Sequence, residues 1–75
     1  MTRLPAVTGK AVISALSRAG WAIKDHRGSH VKLVKSGVRH PIIVPAHGAV
    51  AIPKGTLRNI ISAAGLTVEE FVKLL

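Results

Sequence analysis

The sequence contains no cysteine, and among its 75 residues only Trp21 and Phe71 are aromatic. The absence of cysteine excludes disulfides and thiolate metal sites, and it suits a protein of a reducing compartment. With so few aromatic residues, the core must be built from alanine, valine, isoleucine and leucine. A chain of this length predicts one domain, over residues 1–75, which buries only about 60% of the surface that its unfolded form exposes.

Acidic residues are also scarce, with three Asp and Glu against eleven Lys and Arg, for a formal net charge of +8. A positive field of this size concentrates anions at the protein surface. The charge therefore favours a nucleic acid or an acidic protein as the partner. The alternative is that the charge only keeps a small apolar protein in solution.

Long apolar runs are missing as well, since none approaches the roughly 20 residues that span a bilayer. The N-terminal segment "MTRLPAVTGK" has an early arginine but no apolar core before a cleavage site. We therefore expect no transmembrane segment, no signal peptide and a cytoplasmic protein.

Apolar residues at helical spacing predict a first helix near the N-terminus. Thr8 is a suitable N-cap, and Gly20 supplies the left-handed residue that often ends a helix. The face that this helix buries is predicted to consist of Val12, Ala15, Leu16 and Ala19.

Two more helices are predicted in the C-terminal third. Pro53 is placed to open one of them and Gly65 to end it. The apolar stripe of that helix consists of Leu57, Ile60, Ile61 and Ala64. Thr67 and Glu70 form a capping box for a short terminal helix. Its apolar side is predicted to consist of Phe71, Leu74 and Leu75.

Between the helices the pattern changes to a period of two, which predicts three strands. A half-buried first strand begins at Trp21, with Trp21 and Ile23 alternating with Ala22 and Lys24. The turns are placed at Arg27-Gly28 and Ser36-Gly37. The second and third strands are predicted at residues 29–35 and 38–44.

Proline marks the third strand and the loop after it. Pro41 lacks a backbone donor, so this strand should lie at an edge of the sheet or carry a bulge. The loop from Pro45 to Ile52, "PAHGAVAI", has an apolar middle and is expected to pack against the rest of the protein.

The order α-β-β-β-α with a short terminal helix predicts an α+β fold. We expect a three-stranded antiparallel sheet with the helices packed on one face. Alternation places Val31 and Leu33 toward the core and His30 and Lys32 on the open face. Lys24 is predicted to be in register for that same open face. A histidine flanked by lysines there is the strongest functional indication that the pattern alone provides.

Four segments together carry a likeness to a known family: "GKAVISALSRAGW", "RGSH", "IIVPAH" and "IPKGTLRNIISAAGLTVEEF". From about Gly9 to Leu75, the chain resembles the HicA-type toxins of bacterial toxin–antitoxin pairs. The resemblance implies a double-stranded-RNA-binding-like α-β-β-β-α fold. It also implies a ribonuclease that needs no metal or other cofactor, cleaves messenger RNA and blocks translation. The implied partner is a HicB-type antitoxin that covers the active site.

The resemblance assigns the catalytic role to His30, the histidine of a Gly-[Ser/Thr]-His motif that here begins with Gly28-Ser29. Histidine suits a general base because it titrates near working pH. The base would take the proton of the ribose 2′-hydroxyl as that oxygen attacks phosphorus, leaving a 2′,3′-cyclic phosphate. We expect the RNA phosphate to be bound near the motif by Lys24, Arg27, Gly28, Ser29 and Lys32.

For the other candidate functional residues, more than one role is considered. His47 is either a second acid or base or an anchor of its loop, and the anchor is favoured. Lys54 and Arg58 share one helical face, where they hold RNA, an acidic antitoxin surface or only water. Ser29 is interpreted as a turn residue rather than a nucleophile, because only Asp25 is near enough in sequence to orient a base.

No metal site is expected from the four histidines. His26 and His30 are four positions apart, which brings two ligands together on a helix but not on a strand. His26 and His40 are interpreted as solvated residues of strands.

Two departures from the family pattern concern the loop after Val44, which is often polar in relatives, and Pro41 in the third strand. The competing functions are a non-catalytic RNA-binding module and a degenerate toxin that only binds its antitoxin. The intact motif ending in His30 favours a nuclease over both.

Overall fold

The computed structural model of the protein describes residues 3–75. Met1 and Thr2, where the segment assessed for a signal peptide begins, lie outside the described residues. The elements follow in the order α1 (Gly9–Arg18), β1 (Ala22–Arg27), β2 (His30–Val34), β3 (Ile42–Pro45), α2 (Lys54–Ala63) and α3 (Val68–Leu74). The strands form one antiparallel sheet in the order β1-β2-β3. This arrangement confirms the predicted α+β fold.

Helix α1 begins and ends where the sequence predicts. The Oγ1 atom of Thr8 accepts a hydrogen bond from the Ala11 N–H at 3.2 Å, which satisfies one of the free donors of the first turn. After Arg18 the chain reaches Gly20, whose φ of 98° is the left-handed conformation expected there. Three of the predicted apolar positions are buried, and Ala19 is half-buried.

The first residue of α1 lies directly against the end of β3. Gly9 is buried, and a Cβ atom at this position would lie only 2.6 Å from the Cα atom of Ala46. Only glycine permits this approach without a shift of backbone. Gly9 thereby sets the distance between α1 and the segment that leaves the sheet.

The core lies between the helices and one face of the sheet, and its buried side chains in residues 3–75 are all apolar. From the sheet it takes Val31, Leu33, Ile42 and Val44, and its largest fully buried side chain is Phe71 of α3. The apolar loop packs against this core through Ile52, whose N–H donates to the Val7 carbonyl at 2.8 Å. Val50 in the same loop remains 64% exposed.

The prediction of a half-buried first strand is wrong. Trp21 is buried but precedes β1, and all six residues of β1 are exposed, Ile23 to 61%. Helices α1 and α2 pack on β3, at the other edge of the sheet. The alternation near Trp21 therefore does not correspond to a buried and an exposed face of β1.

The third strand is shorter than predicted, because it begins at Ile42 rather than at Val38. The Ser36-Gly37 turn is present, with the Val38 N–H donating to the Lys35 carbonyl at 3.0 Å, but no strand pairing follows it directly. Pro41 lies just before β3, where its missing N–H breaks no ladder hydrogen bond. The expectation of an edge strand is confirmed, since β3 pairs only with β2.

The two C-terminal helices agree with the sequence. Pro53 caps α2, whose stripe of Leu57, Ile60 and Ile61 is buried. In the capping box of α3, the Thr67 N–H donates to Glu70 Oε1 at 2.8 Å, and the Glu70 N–H donates to Thr67 Oγ1 at 3.1 Å. Leu75 is 47% exposed, so its predicted place on the apolar side is wrong. None of the helices in residues 3–75 has the length and apolar content required to cross a membrane.

Candidate functional site

A tight turn joins β1 to β2 and presents His30 at the start of the second strand. Gly28 adopts a φ of 58°, in the left-handed region that glycine occupies without strain. This turn makes Arg27 and His30 direct partners across the antiparallel ladder. His30 is exposed, while its neighbour Val31 is 3% exposed and points into the core. The predicted alternation of β2 is therefore confirmed.

A register shift in β1 changes the composition of the open face. Ile23 lies opposite Leu33, but the next ladder pair joins Asp25 to Lys32, so Lys24 has no partner. The predicted register of Lys24 with His30 and Lys32 is wrong, because this bulge inserts one extra residue into the strand. Paired residues of an antiparallel ladder point to the same face. Asp25 and Arg27 therefore join His30 and Lys32 on the open face.

These side chains line one cleft of about 300 Å³ on that face. Its lining consists of Asp25, Arg27, His30, Lys32 and Ile43. The cleft brings together three of the residues that the sequence singled out, while Gly28 and Ser29 form the turn beside it. Lys24 is exposed but does not line the cleft. Asp25 is a cleft residue that the sequence did not predict.

The charges in the cleft are paired in part. The Arg27 Nε–H donates to Asp25 Oδ2 at 3.0 Å, and Asp25 Oδ1 accepts the His26 N–H at 2.8 Å. The Arg27 side chain is 89% exposed, so solvent screens this ion pair and it adds little stability. Asp25 accepts a hydrogen bond from the Nε atom of the guanidinium, and the Arg27 side chain remains largely exposed. The cleft therefore presents two cationic side chains beside one histidine.

A second histidine lies beside the first. The ring centroids of His30 and His47 are 6.1 Å apart, and the planes are nearly perpendicular at 82°. The Ser29 Oγ atom lies 3.5 Å from His47 Nε2, at the long limit of a hydrogen bond. The Ala46 N–H donates to the Ser29 carbonyl at 2.6 Å, which ties this loop to the turn through backbone atoms. The sequence favoured His47 as a loop anchor, but its side chain is exposed.

Other basic residues lie away from the cleft. Lys54 and Arg58 are exposed on α2, which packs against the core side of β3. The exposed His26 is the ladder partner of the core residue Val31, so it lies on the opposite side of the sheet from His30. His40 is exposed in the irregular segment before β3. The structure does not bring these four residues together with His30.

In the part of the chain that the structure describes, no three or more histidine, aspartate or glutamate side chains are close enough to bind one ion. The polar groups of the cleft are instead suited to binding an anion and transferring a proton.

Comparison with known proteins assigns the family. Residues 9–66 match the sequence model of a family described as the HicA toxin of bacterial toxin–antitoxin. No curated protein matches the chain. The matched segment begins at the first residue of α1 and includes the sheet, both His30 and His47, and α2. The match covers well over half of the 75 residues, and the chain therefore belongs to the HicA toxin family of bacterial toxin–antitoxin systems.

Proposed function

We propose that this toxin is an endoribonuclease that cleaves messenger RNA without a metal ion and thereby blocks translation. The observation that carries the proposal is the position of His30, exposed in an open cleft with Arg27 and Lys32. An imidazole can take a proton from a bound hydroxyl. The two cations supply the charge that a phosphodiester needs.

The proposed reaction uses the RNA itself as the nucleophile. His30 removes the proton of the ribose 2′-hydroxyl, and the 2′-oxygen attacks the adjacent phosphorus. The bond from phosphorus to the 5′-oxygen of the next nucleotide then breaks. The products are a 2′,3′-cyclic phosphate and a 5′-hydroxyl, and no metal-bound water takes part.

Arg27 and Lys32 are proposed to stabilise the charge that grows on the phosphate oxygens. Both line the cleft: Arg27 is the ladder partner of His30, and Lys32 is the next residue of β2 on the same face. Preorganised cations at such a position lower the barrier because they need not reorient during the reaction. Gly28 and Ser29 hold the turn that positions both His30 and Arg27.

The proposed partner is a HicB-type antitoxin that covers the cleft. A protein with a net charge of +8 favours an acidic surface on its partner. An antitoxin seated over His30 would block access of RNA to the base. We infer that both proteins act in the cytoplasm, where messenger RNA is translated.

The test is cleavage of a labelled single-stranded RNA in the presence of EDTA. We expect the wild-type protein to cleave and the His30→Ala variant to lose at least about 100-fold in rate, the usual contribution of a general base. His26→Ala is the matched control, because His26 is an exposed strand histidine on the other side of the sheet.

Other results would contradict the proposal. Cleavage that stops with EDTA would indicate a metal nuclease, and normal cleavage by His30→Ala would remove the base. RNA binding without cleavage would identify an RNA-binding module. If the protein neither bound nor cleaved RNA, it would act only through its antitoxin.

A further inference from the structure

The proposed reaction needs two proton transfers, and His30 accounts for only one of them. The attacking 2′-oxygen and the departing 5′-oxygen lie on opposite sides of phosphorus in an in-line displacement. A base that serves the first oxygen is therefore on the wrong side to protonate the second. The 5′-oxygen is a poor leaving group when it departs as an alkoxide. Protonation of that oxygen makes its bond to phosphorus easier to break.

We propose that His47 is the general acid of this reaction and protonates the departing 5′-oxygen. The inference rests on the proposed ribonuclease function. Its basis is the 6.1 Å separation of the His30 and His47 rings. Proton transfer requires each ring to be within about 2.6–3.2 Å of its own oxygen. Two groups that flank one phosphate in this way must themselves lie several ångströms apart, as these rings do.

The position of His47 comes from backbone contacts rather than from its own burial. The Ala46 N–H is bonded to the Ser29 carbonyl, and the Val50 N–H closes a turn on the His47 carbonyl at 3.0 Å. Ile52, five residues after His47, is buried in the core. The loop is thus held on both sides of an imidazole that remains exposed.

Ser29 is placed to orient the imidazole of His47. Its Oγ atom lies 3.5 Å from His47 Nε2. When Nε2–H donates to this hydroxyl, Nδ1–H is left for the substrate, since the bond at one ring nitrogen sets the role of the other. Hydrogen bonds of this kind are often long before substrate binds and shorten in the complex.

The surroundings of His47 also suit the departing side of the RNA. His47 also borders a groove of about 310 Å³ that His30 does not line and whose other lining residues are uncharged. They are Pro45, Val50, Ala51, Ile52, Pro53 and Thr56. A largely apolar groove can accept the base of the nucleoside that carries the departing oxygen. The cationic cleft at His30 would hold the phosphate.

The proton balance closes over one turnover. His30 gains the proton of the 2′-hydroxyl, and the bond from the 2′-oxygen to phosphorus forms. The bond from phosphorus to the 5′-oxygen breaks, and that oxygen takes a proton from the His47 imidazolium. His30 ends protonated and His47 neutral, and exchange with water restores both. No oxidant, reductant or second substrate is needed.

The test replaces the departing oxygen with sulfur, which leaves as a thiolate without protonation. The substrate is a DNA oligonucleotide with one ribonucleotide at a cleavage site mapped with the wild-type protein. A second version carries a 5′-bridging sulfur at that linkage. Wild type, His30→Ala and His47→Ala are compared on both substrates.

We expect His47→Ala to be about 100-fold or more slower than wild type on the oxygen substrate. On the sulfur substrate it should recover to within a few-fold of wild type. His30→Ala should stay slow on both, because deprotonation of the 2′-hydroxyl is still required. A variant that had merely lost its fold would be slow on both substrates, so recovery on sulfur separates chemistry from structure.

Three results would overturn the assignment of His47. They are a wild-type rate for His47→Ala on oxygen, an equal loss on both substrates, and recovery of His30→Ala instead of His47→Ala on sulfur. Failure of the wild-type protein to cleave the RNA used to map the site would overturn the proposed function itself, and the inference with it. A His47→Gln variant with the same pattern as His47→Ala would show that proton donation by the imidazole is needed.

Discussion

His30 acquires its position from the residues on either side of it in sequence. Gly28 takes the left-handed conformation that the turn requires. Val31 holds β2 in the core, so alternation directs His30 to the open face. A histidine at this place can meet a large substrate, which a histidine inside the core cannot. The local sequence therefore explains both the exposure of the proposed base and its direction.

Lys32 and Lys24 form a natural pair for testing phosphate contacts. Lys32 lines the cleft, whereas Lys24 is the exposed bulge residue outside it. Measured on the inactive His30→Ala background, Lys32→Ala should weaken RNA binding and lower the slope of log affinity against log salt. Loss of one phosphate contact to a single strand corresponds to a slope change of about 0.7.

Lys24→Ala should leave that slope unchanged, and fluorescence anisotropy at several salt concentrations measures both variants. An equal effect of the two substitutions would contradict the assignment of the phosphate to the cleft. In that case the bulge would not separate the two lysines in function.

Among the secondary structure elements, β1 differs most from what its sequence indicates. Trp21 and Ile23 suggest a half-buried strand, but the sheet places β1 at an edge with both faces accessible. No local signal marks the bulge at Lys24, because bulges depend on pairing with a second strand. Asp25 therefore reaches the cleft through a register that the sequence alone does not encode.

The helices could be predicted because their signals are local. Thr8 and the capping box of Thr67 and Glu70 act within four residues of themselves. The strand containing His30 could be predicted from its alternation, whereas the catalytic role proposed for His30 comes from the family motif. The approach of His47 to His30 could not be predicted from local signals. It depends on the hydrogen bond from the Ala46 N–H in the loop to the Ser29 carbonyl in the turn.

Substitution by alanine is predicted to have opposite effects at two helical glycines, one at the junction of α1 with the end of β3 and one in α2. Gly9→Ala should lower the free energy of unfolding by about 1–3 kcal/mol, because the new Cβ would collide with backbone at Ala46. Gly55→Ala, in α2 with open space around it, should raise it by up to about 1 kcal/mol, because alanine favours the helix.

Urea denaturation of the three proteins gives both values. Unchanged stability of Gly9→Ala would contradict a close contact between α1 and the loop that carries His47. A loss of stability at both glycines would indicate that helix propensity does not govern the start of α2.

In the molecule as a whole, the charged side chains lie apart from the packed apolar core. The core takes only apolar side chains from residues 3–75, so the surface carries the excess of eleven cationic over three acidic residues. The same charge would support both proposed interactions, one with RNA and one with an acidic antitoxin. Competition between RNA and antitoxin for the open face of the sheet follows from the two proposals taken together.

The net charge predicts a steep dependence of RNA affinity on salt. For the His30→Ala protein, log affinity should fall linearly with log salt, by about 0.7 for each neutralised phosphate. A methylphosphonate oligonucleotide of the same sequence is the control, because it lacks the backbone charge and should show little dependence. Affinity that does not change with salt would contradict an electrostatic account of binding.

His30 is proposed to turn the RNA's own 2′-hydroxyl into the nucleophile. The most direct measurement is mass spectrometry of the two new ends made by the wild-type protein in EDTA. We predict a 2′,3′-cyclic phosphate, or the 2′- or 3′-phosphate formed from it, on one fragment and a 5′-hydroxyl on the other. A 3′-hydroxyl together with a 5′-phosphate would mean that water attacked phosphorus, and would contradict the account.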